Sequence, residues 1–537
     1  MKIQNKTFVR ALSMTALVGC AVLAAVPSFG ENPAAVQHVE QQLAASNARH
    51  VYIMTDKPLY KPGESIWFKS WQTFRGVPAQ GQEGATFELV DPRGSVVMRK
   101  SVQAVGGMAT NDFIIPPQMV GGEYKLQVIY DKGATHARSI VISTYQPPRI
   151  KKTLDLLREA YGPGDRVEAT VKLHRATGEP LANHTITALV NLDGQELHRL
   201  TLKTNRRGVA LVAFDLPDAI AVGDSVLTVV VDEGGLIESI QRRVPILTGK
   251  VRMELFPEGG DLVTGLPGRV YVRARDLSGE PVDVAGVVVD DTGATVARFE
   301  TAHKGKGRFE LVPERHRNYS VKLTRPHGVR QVFDLPAAQL QGCALRAVDD
   351  LADDAPVKTR PVKVAVRCTQ AQDMTVVGVL RERLVSHASA RVTADKDTVM
   401  SLAMPDSAQG AVRVTLHQAD GRPVAERLVY RGRTRGLTVK VQADKETYNP
   451  RDKVELTVQV ADASGQPVQG SFAMAVVDDT VLSFADDRSA HLVSRLFLEA
   501  EMPGQTIKDP NFYFGDDPLA PQALDLLLGT SGWRRFQ

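Results

Sequence analysis

One phrase recurs three times along this 537-residue chain: Tyr60-Lys61-Pro62-Gly63-Glu64-Ser65-Ile66, Tyr161-Gly162-Pro163-Gly164-Asp165-Arg166-Val167 and Tyr448-Asn449-Pro450-Arg451-Asp452-Lys453-Val454. Each copy is an aromatic residue, a proline turn and an acidic residue. A run of alternating apolar and polar side chains follows: Ile66, Phe68 and Ser70; Val167, Ala169 and Val171; Val454, Leu456 and Val458. Proline presets the turn, and alternation is the period of a half-buried strand. The first two copies begin 101 residues apart, about the length of one immunoglobulin-like sandwich. The expected fold class is therefore all-β, an array of tandem immunoglobulin-like sandwiches.

A second phrase keeps the same period. Ser278-Gly279-Glu280-Pro281-Val282 follows Thr177-Gly178-Glu179-Pro180-Leu181 by 101 residues, and Asp420-Gly421-Arg422-Pro423-Val424 and Ser464-Gly465-Gln466-Pro467-Val468 recur later. Glycine supplies the turn, and proline re-enters extended structure where its missing N–H is not needed. Length alone gives roughly three to five domains. The punctuation places them at 49–148, 149–250, 251–338, 339–435 and 436–537, with 31–48 a short helix or flexible lead-in. After Phe484 the spacing turns helical, at Ser494 to Leu498 and Pro521 to Leu528, and ends in Gly532-Trp533-Arg534-Arg535-Phe536. This tail is expected to pack on the fifth domain.

The first thirty residues read as an export signal: a basic stretch to Arg10, an apolar run from Ala11 to Val26, then Ser28-Phe29-Gly30. Leu17-Val18-Gly19-Cys20 has the form of a bacterial lipobox, which would lipidate Cys20. The alternative is a cysteine that happens to lie in the leader, which the apolar Ala21 to Val26 fits better. The expected location is periplasmic or secreted, with a lipid anchor in the outer membrane if Cys20 is modified. Setting aside Lys2, Lys6 and Arg10 takes the formal charge from +4 to +1, which argues against a nucleic-acid partner. Beyond the leader only Cys343 and Cys368 remain. They lie on two strand-like runs flanking the acidic turn Asp349 to Asp354. Antiparallel pairing would set them opposite each other as a disulfide in an oxidising compartment; two buried free thiols are the alternative.

The sequence carries little chemistry. No two of its twelve histidines lie three to five residues apart, and there is no phosphate-cradling loop and no nucleophile elbow. The acidic pairs Asp478-Asp479, Asp486-Asp487 and Asp516-Asp517 could hold calcium, but solvated loops are the expected role, since no twelve-residue calcium loop is present. Trp67 and Trp71 fall on one face of a strand, with core packing expected ahead of an exposed aromatic patch. No catalytic residue, cofactor site or metal site is expected, and the chain is read as a non-enzyme.

Thr55-Asp56-Lys57-Pro58-Leu59-Tyr60-Lys61-Pro62-Gly63-Glu64 resembles the opening of the second macroglobulin domain of the alpha-2-macroglobulin family. Phe256-Pro257-Glu258-Gly259-Gly260-Asp261-Leu262-Val263 is similar to the start of a later macroglobulin domain, and Ala475 to Leu482 to a strand of that family. The closing stretch from Tyr513 to Phe536 resembles bacterial macroglobulin-domain proteins that continue into further modules, TonB-plug modules among them. The resemblance implies a row of seven-stranded macroglobulin sandwiches in a family best known for trapping proteases. It implies protein partners, endopeptidases first. The competing reading is an envelope scaffold working with an outer-membrane receptor of the TonB type. One departure is decisive for mechanism. The family's covalent trap is a Cys-x-Glu-Gln thioester, whereas Cys368-Thr369-Gln370-Ala371-Gln372 and Cys343-Ala344-Leu345-Arg346 hold no such register. Capture, if any, is expected to be non-covalent.

Overall fold

The recurrent turn phrase works through one hydrogen-bond pattern. In the first copy Gly63 sits at φ +90°, and the Glu64 carboxylate accepts from Lys61 N (2.8 Å) and Lys57 Nζ (2.6 Å). The ring of Tyr60 is buried while its hydroxyl donates to Asp56 Oδ1 at 2.5 Å. In the second copy Gly164 lies at φ +74° and Asp165 Oδ2 accepts from Gly162 N at 2.8 Å. In the third, Asp452 Oδ2 accepts from Asn449 N and Tyr448 donates to Asp444. There Arg451 takes the glycine's place, at φ +73°.

This computed structural model describes residues 14–15, 33–144, 149–247, 249–348, 360–406, 408–434, 436–477 and 490–536. The rest of the leader with Cys20, the Pro147-Pro148 linker, the acidic turn after Val348 and the pairs Asp478-Asp479 and Asp486-Asp487 lie outside those residues. The fold is all-β, with 52% of residues in strands and 8% in helices. It is built of tandem sandwiches with short C-terminal helices. In the second unit Ile150–Leu156, Arg166–Arg175 and Val209–Asp215 form one sheet. Gln195–Lys203, Thr185–Leu192, Asp224–Glu233 and Leu236–Pro245 form the other. The same order recurs over 49–142, 252–334 and 343–431, with the two sheets joining at one edge in the first and third units. Alternation does the burying. Val167, Ala169, Val171 and Leu173 point inward against Ile186, Ala188 and Val190 and against Leu227, Val229 and Val231, each large side chain contributing about 1.5–3 kcal/mol.

The fifth stretch is different. Thr438–Ala443 pairs with Leu456–Ala461, and Gly470–Ser471 pairs only with Met14–Thr15. No further ladder forms there among the described residues. The tail does not settle on this hairpin as expected. Helix α1 (Ala34–Ala45) buries Ala35, Val36 and Val39 on Val377 and Val379 of the fourth sandwich. Its last carbonyls accept from the Arg75 guanidinium at Ala44 O (2.6 Å) and Ser46 O (2.8 Å). A cation at a helix C-terminus is the favourable sign. Helix α2 (Leu492–Phe497) lays Leu492 and Leu496 on Tyr52, Met54 and Trp71 of the first sandwich. Helix α3 (Ala520–Ser531) packs on the third and fourth. The physical reason is exposure: the fifth hairpin offers only a small, half-exposed apolar face, whereas the finished sandwiches present wide aromatic ones.

Cys343 and Cys368 are register partners on antiparallel strands, Cα atoms 4.0 Å apart and sulfurs 2.05 Å apart. From that register, peptide mapping of the protein, alkylated before reduction under oxidising conditions, should recover Cys343 joined to Cys368; full alkylation of both would refute it. The turn phrase gives a second expectation. A Cβ on Gly63 would meet nothing within 4 Å, so Gly63→Ala tests backbone strain alone. It should destabilise the first sandwich by about 1 kcal/mol, seen as a lower unfolding temperature in calorimetry.

Candidate functional site

Of the residues singled out in the sequence, Trp67 and Trp71 part company. Both lie on the outer face of Ser65–Phe74, not in the core. Trp71 is buried by α2 and tilts on Tyr52 at 5.8 Å, while Trp67 is 61% exposed. Alternation fixed the face they share but not what covers it. Asp516 and Asp517 are exposed, and Asp517 Oδ1 accepts from Leu519 N at 2.8 Å ahead of α3. Among the described residues no group of three or more His, Cys, Asp or Glu could hold a metal ion. Gln372 Nε2 donates to Cys343 Sγ at 3.1 Å, while the partner sulfur is that of Cys368.

Two surfaces carry the remaining chemistry. The first surrounds Trp67. A shallow pocket of about 280 Å³ lies between the first sandwich and the extended segment after Ser471, lined by Met54, Trp67, Phe68, Lys69, Asp112 and Met474. Lys69 Nζ donates to Ser471 Oγ, and burial lowers its pKa. Phe472, Met474 and Val476 stand exposed beside it, Val476 by 82%. Large apolar side chains grouped in the open mark a contact surface for another macromolecule.

The second is a joint that no single motif announces. Phe256-Pro257-Glu258-Gly259-Gly260 is the seat of Gly532-Trp533-Arg534-Arg535, some 270 residues further along the chain. Phe256 meets the Trp533 ring edge-on at 5.6 Å, and Trp533 Nε1 donates to Pro257 O at 2.7 Å. A Cβ on Gly260 would stand 3.2 Å from Arg534 O. Arg535 Nε pairs with Asp261 (2.9 Å) and Arg534 Nε with Glu426 (3.5 Å). Glycines in α3 and just after it allow the approach: a Cβ on Gly529 would fall 2.4 Å from the Tyr271 ring, and one on Gly532 would fall 2.2 Å from Leu428.

Under that seat lies a buried charge cluster. Arg427 of the fourth sandwich donates through Nε to Glu258 of the third (3.1 Å), and through Nη2 to Tyr271 Oη (2.9 Å) and to Asp525 of α3. Arg308 Nη1 reaches Asp525 Oδ2 at 2.8 Å, and Ala347 N donates to Glu258 Oε1 at 3.1 Å. Burial raises the Glu258 carboxyl, with Arg427 and Arg269 opposing it. Burial works against the Arg427 charge, yet Tyr271, Asp525 and Glu258 hold its pKa above the usual value. Removing one partner from such a set leaves the others buried and unmatched. Asp525→Ala should cost about 3–5 kcal/mol and free α3, read as new proteolytic cleavage and faster hydrogen exchange between residues 520 and 536. Unchanged exchange there would contradict this account of the joint.

The geometry can be set beside known proteins. The MG2 domain model matches residues 50–142, the whole of the first sandwich. An alpha-2-macroglobulin of Ralstonia nicotianae is 22% identical over 484 residues, covering 80% of this chain and 30% of that protein. One from Thermotoga maritima is 21% identical over 291 residues, covering 51% of this chain and 18% of its own length. The chain thus spans less than a third of these relatives. Among solved structures, trypsin-activated alpha-2-macroglobulin from Escherichia coli aligns with 78% of this chain and 33% of its own, at 12% identity and a TM-score of 0.42. The first sandwich is thus matched by the MG2 domain model, and the chain along most of its length is similar to bacterial alpha-2-macroglobulins.

Proposed function

We propose that this chain is an exported, non-enzymatic protein-binding module of the endopeptidase-inhibitor type, acting without covalent capture. The observation that carries protein binding is the apolar surface around Trp67, Phe472, Met474 and Val476; the likeness to alpha-2-macroglobulins points it toward endopeptidases. Absence of the Cys-x-Glu-Gln register and the pairing of Cys343 with Cys368 support a non-covalent mode. The basic and apolar leader from Lys2 to Gly30 supports export, and we place the protein in the periplasm or outside the cell. No helix among the described residues is long and apolar enough to cross a membrane.

Binding without an acyl donor has a clear signature. Mixing the protein with broad-specificity proteases should slow them toward large substrates and leave no adduct that survives boiling in detergent. Methylamine, which opens thioesters, should leave the mass of the protein unchanged. A methylamine-dependent gain would overturn the non-covalent reading. Failure to slow any protease at stoichiometric excess would overturn the inhibitor reading and favour the envelope scaffold, whose partner would be an outer-membrane receptor.

A further inference from the structure

The outer face of the three-stranded sheet in the third sandwich carries cross-strand rows. Phe256, Tyr271 and Arg308 form the row under α3. The next row is Glu254, Arg273 and Lys306, register neighbours on the strands Arg252–Pro257, Gly268–Arg275 and Lys306–Leu311. Arg273 is satisfied, forking onto Glu254 at 2.7 and 2.8 Å. Lys306 is not. It is only 9% exposed, and its ammonium has no hydrogen-bond or ion-pair partner among the described residues. The nearby charges that act on it most strongly are positive: Arg273, Arg275, Lys304 and Lys508. Three of those four are matched, Arg273 by Glu254, Lys304 by Glu159 at 3.4 Å and Lys508 by Glu280. Arg275 has no ion pair of its own among the described residues. Two positive charges are left over, one of them buried. Like charges opposite each other across a sheet are destabilising, and a buried ammonium without a counter-charge is costly. On one side the place is walled by His303, whose ring stacks on Phe512 at 4.1 Å; burial first, then Lys304 and Lys306, lowers the imidazole pKa to about 4, so it adds no charge at neutral pH.

We propose that Lys306, with Arg273 and Arg275, forms a binding site for a small dianionic oxyanion of the phosphate or sulfate kind. The surplus of two cations matches one dianion. Guanidinium forks and an ammonium are the groups that recognise such oxygens. The same chemistry is offered by free inorganic phosphate and by a phosphate carried on a lipid headgroup, and the test separates them.

Calorimetric titration of the full chain with inorganic phosphate, at constant ionic strength in sodium chloride, should show saturable binding. Lys306→Met, which keeps the apolar stem, should weaken it at least about tenfold, and Lys125→Met on the exposed face of the first sandwich should leave it unchanged. Phosphate should raise the unfolding temperature of the native chain and not of Lys306→Met. Without phosphate, Lys306→Met should melt at or above the native temperature, because an unmatched buried charge has gone. Vesicles containing phosphatidic acid, a phosphomonoester that can carry two negative charges, that sediment with the native chain, and release it on addition of phosphate, would assign the site to a headgroup; binding of phosphate without sedimentation would assign it to the free ion. No saturable phosphate binding, binding unaltered by Lys306→Met, or a phosphate-free Lys306→Met variant less stable than the native chain would each overturn the proposal.

Discussion

Arg427 holds the C-terminal part of the molecule in place. Its guanidinium, buried on the fourth sandwich, is shared between a carboxylate of the third sandwich and a carboxylate of α3. A buried ion pair adds little net stability over an apolar substitute, while an unmatched partner is strongly destabilising. Any other seat for α3 would take from Arg427 and Arg308 the Asp525 carboxylate that they share, and would leave the charge balance of a low-dielectric place broken. That penalty, more than the attraction, confines the helix to one position. Trp533 and the two arginines after it then complete the seat at its rim.

From this joint the contacts run on between units. The second and third sandwiches meet where Asp165 pairs with His327 Nδ1 at 2.9 Å and Glu159 N donates to Asp283 at 2.8 Å. There a Cβ on Gly162 would stand 2.3 Å from His327 O. The fourth and first meet through α2, where Arg495 Nε donates to Val51 O (3.3 Å), and through Glu501, whose carboxylate accepts from Arg381 N (3.1 Å) and pairs with Arg413 (3.2 Å). A Cβ on Gly76 would lie 2.5 Å from Arg381 O. Each sandwich has its own apolar core, so these junctions set placement rather than folding. The surface around Trp67 stays open beside them.

How far the sequence could be read follows the range of the interactions. The turn phrases were legible because every group they use lies within about a dozen residues: Tyr60 with Asp56, Glu64 with Lys57, Asp452 with Asn449. The opposition of Cys343 and Cys368 was legible because both strands flank one turn. The joint was not. Phe256 to Gly260 and Gly532 to Arg535 each stood out as a motif, but nothing local says that one is the seat of the other, and Arg427 lies in an unremarked strand. Lys306 was hidden for the same reason, since its surroundings come from Arg273, Arg275 and Lys508, distant in the chain. The helical tail misled for a related cause: periodicity shows that α3 has an apolar face, but not which surface receives it. Of the expected fifth sandwich, the described residues form the hairpin of Thr438–Ala443 with Leu456–Ala461, while Leu492–Phe497 and Ala520–Ser531 are helical and pack on other sandwiches.

The contact between α2 and the strand Arg49–Thr55 joins residues 444 apart, Arg495 and Val51. A chain made from its N-terminus completes the first sandwich, with its strands all within 49–142, long before Arg495 exists. The four sandwiches can therefore form as separate beads, and α2 and α3, made after all four, add contacts between the first bead and the fourth and between the fourth and the third. Until then the Trp71 face and the Tyr271 face both lie bare. The loop that must close is long, but most of it is already rigid, so the entropy of closure falls on a few linkers. The tail thus works as a latch: a chain interrupted just before residue 490 would hold four finished sandwiches and their direct junctions, such as Asp165 with His327 and Glu258 with Arg427, but would lack the contacts that α2 and α3 add.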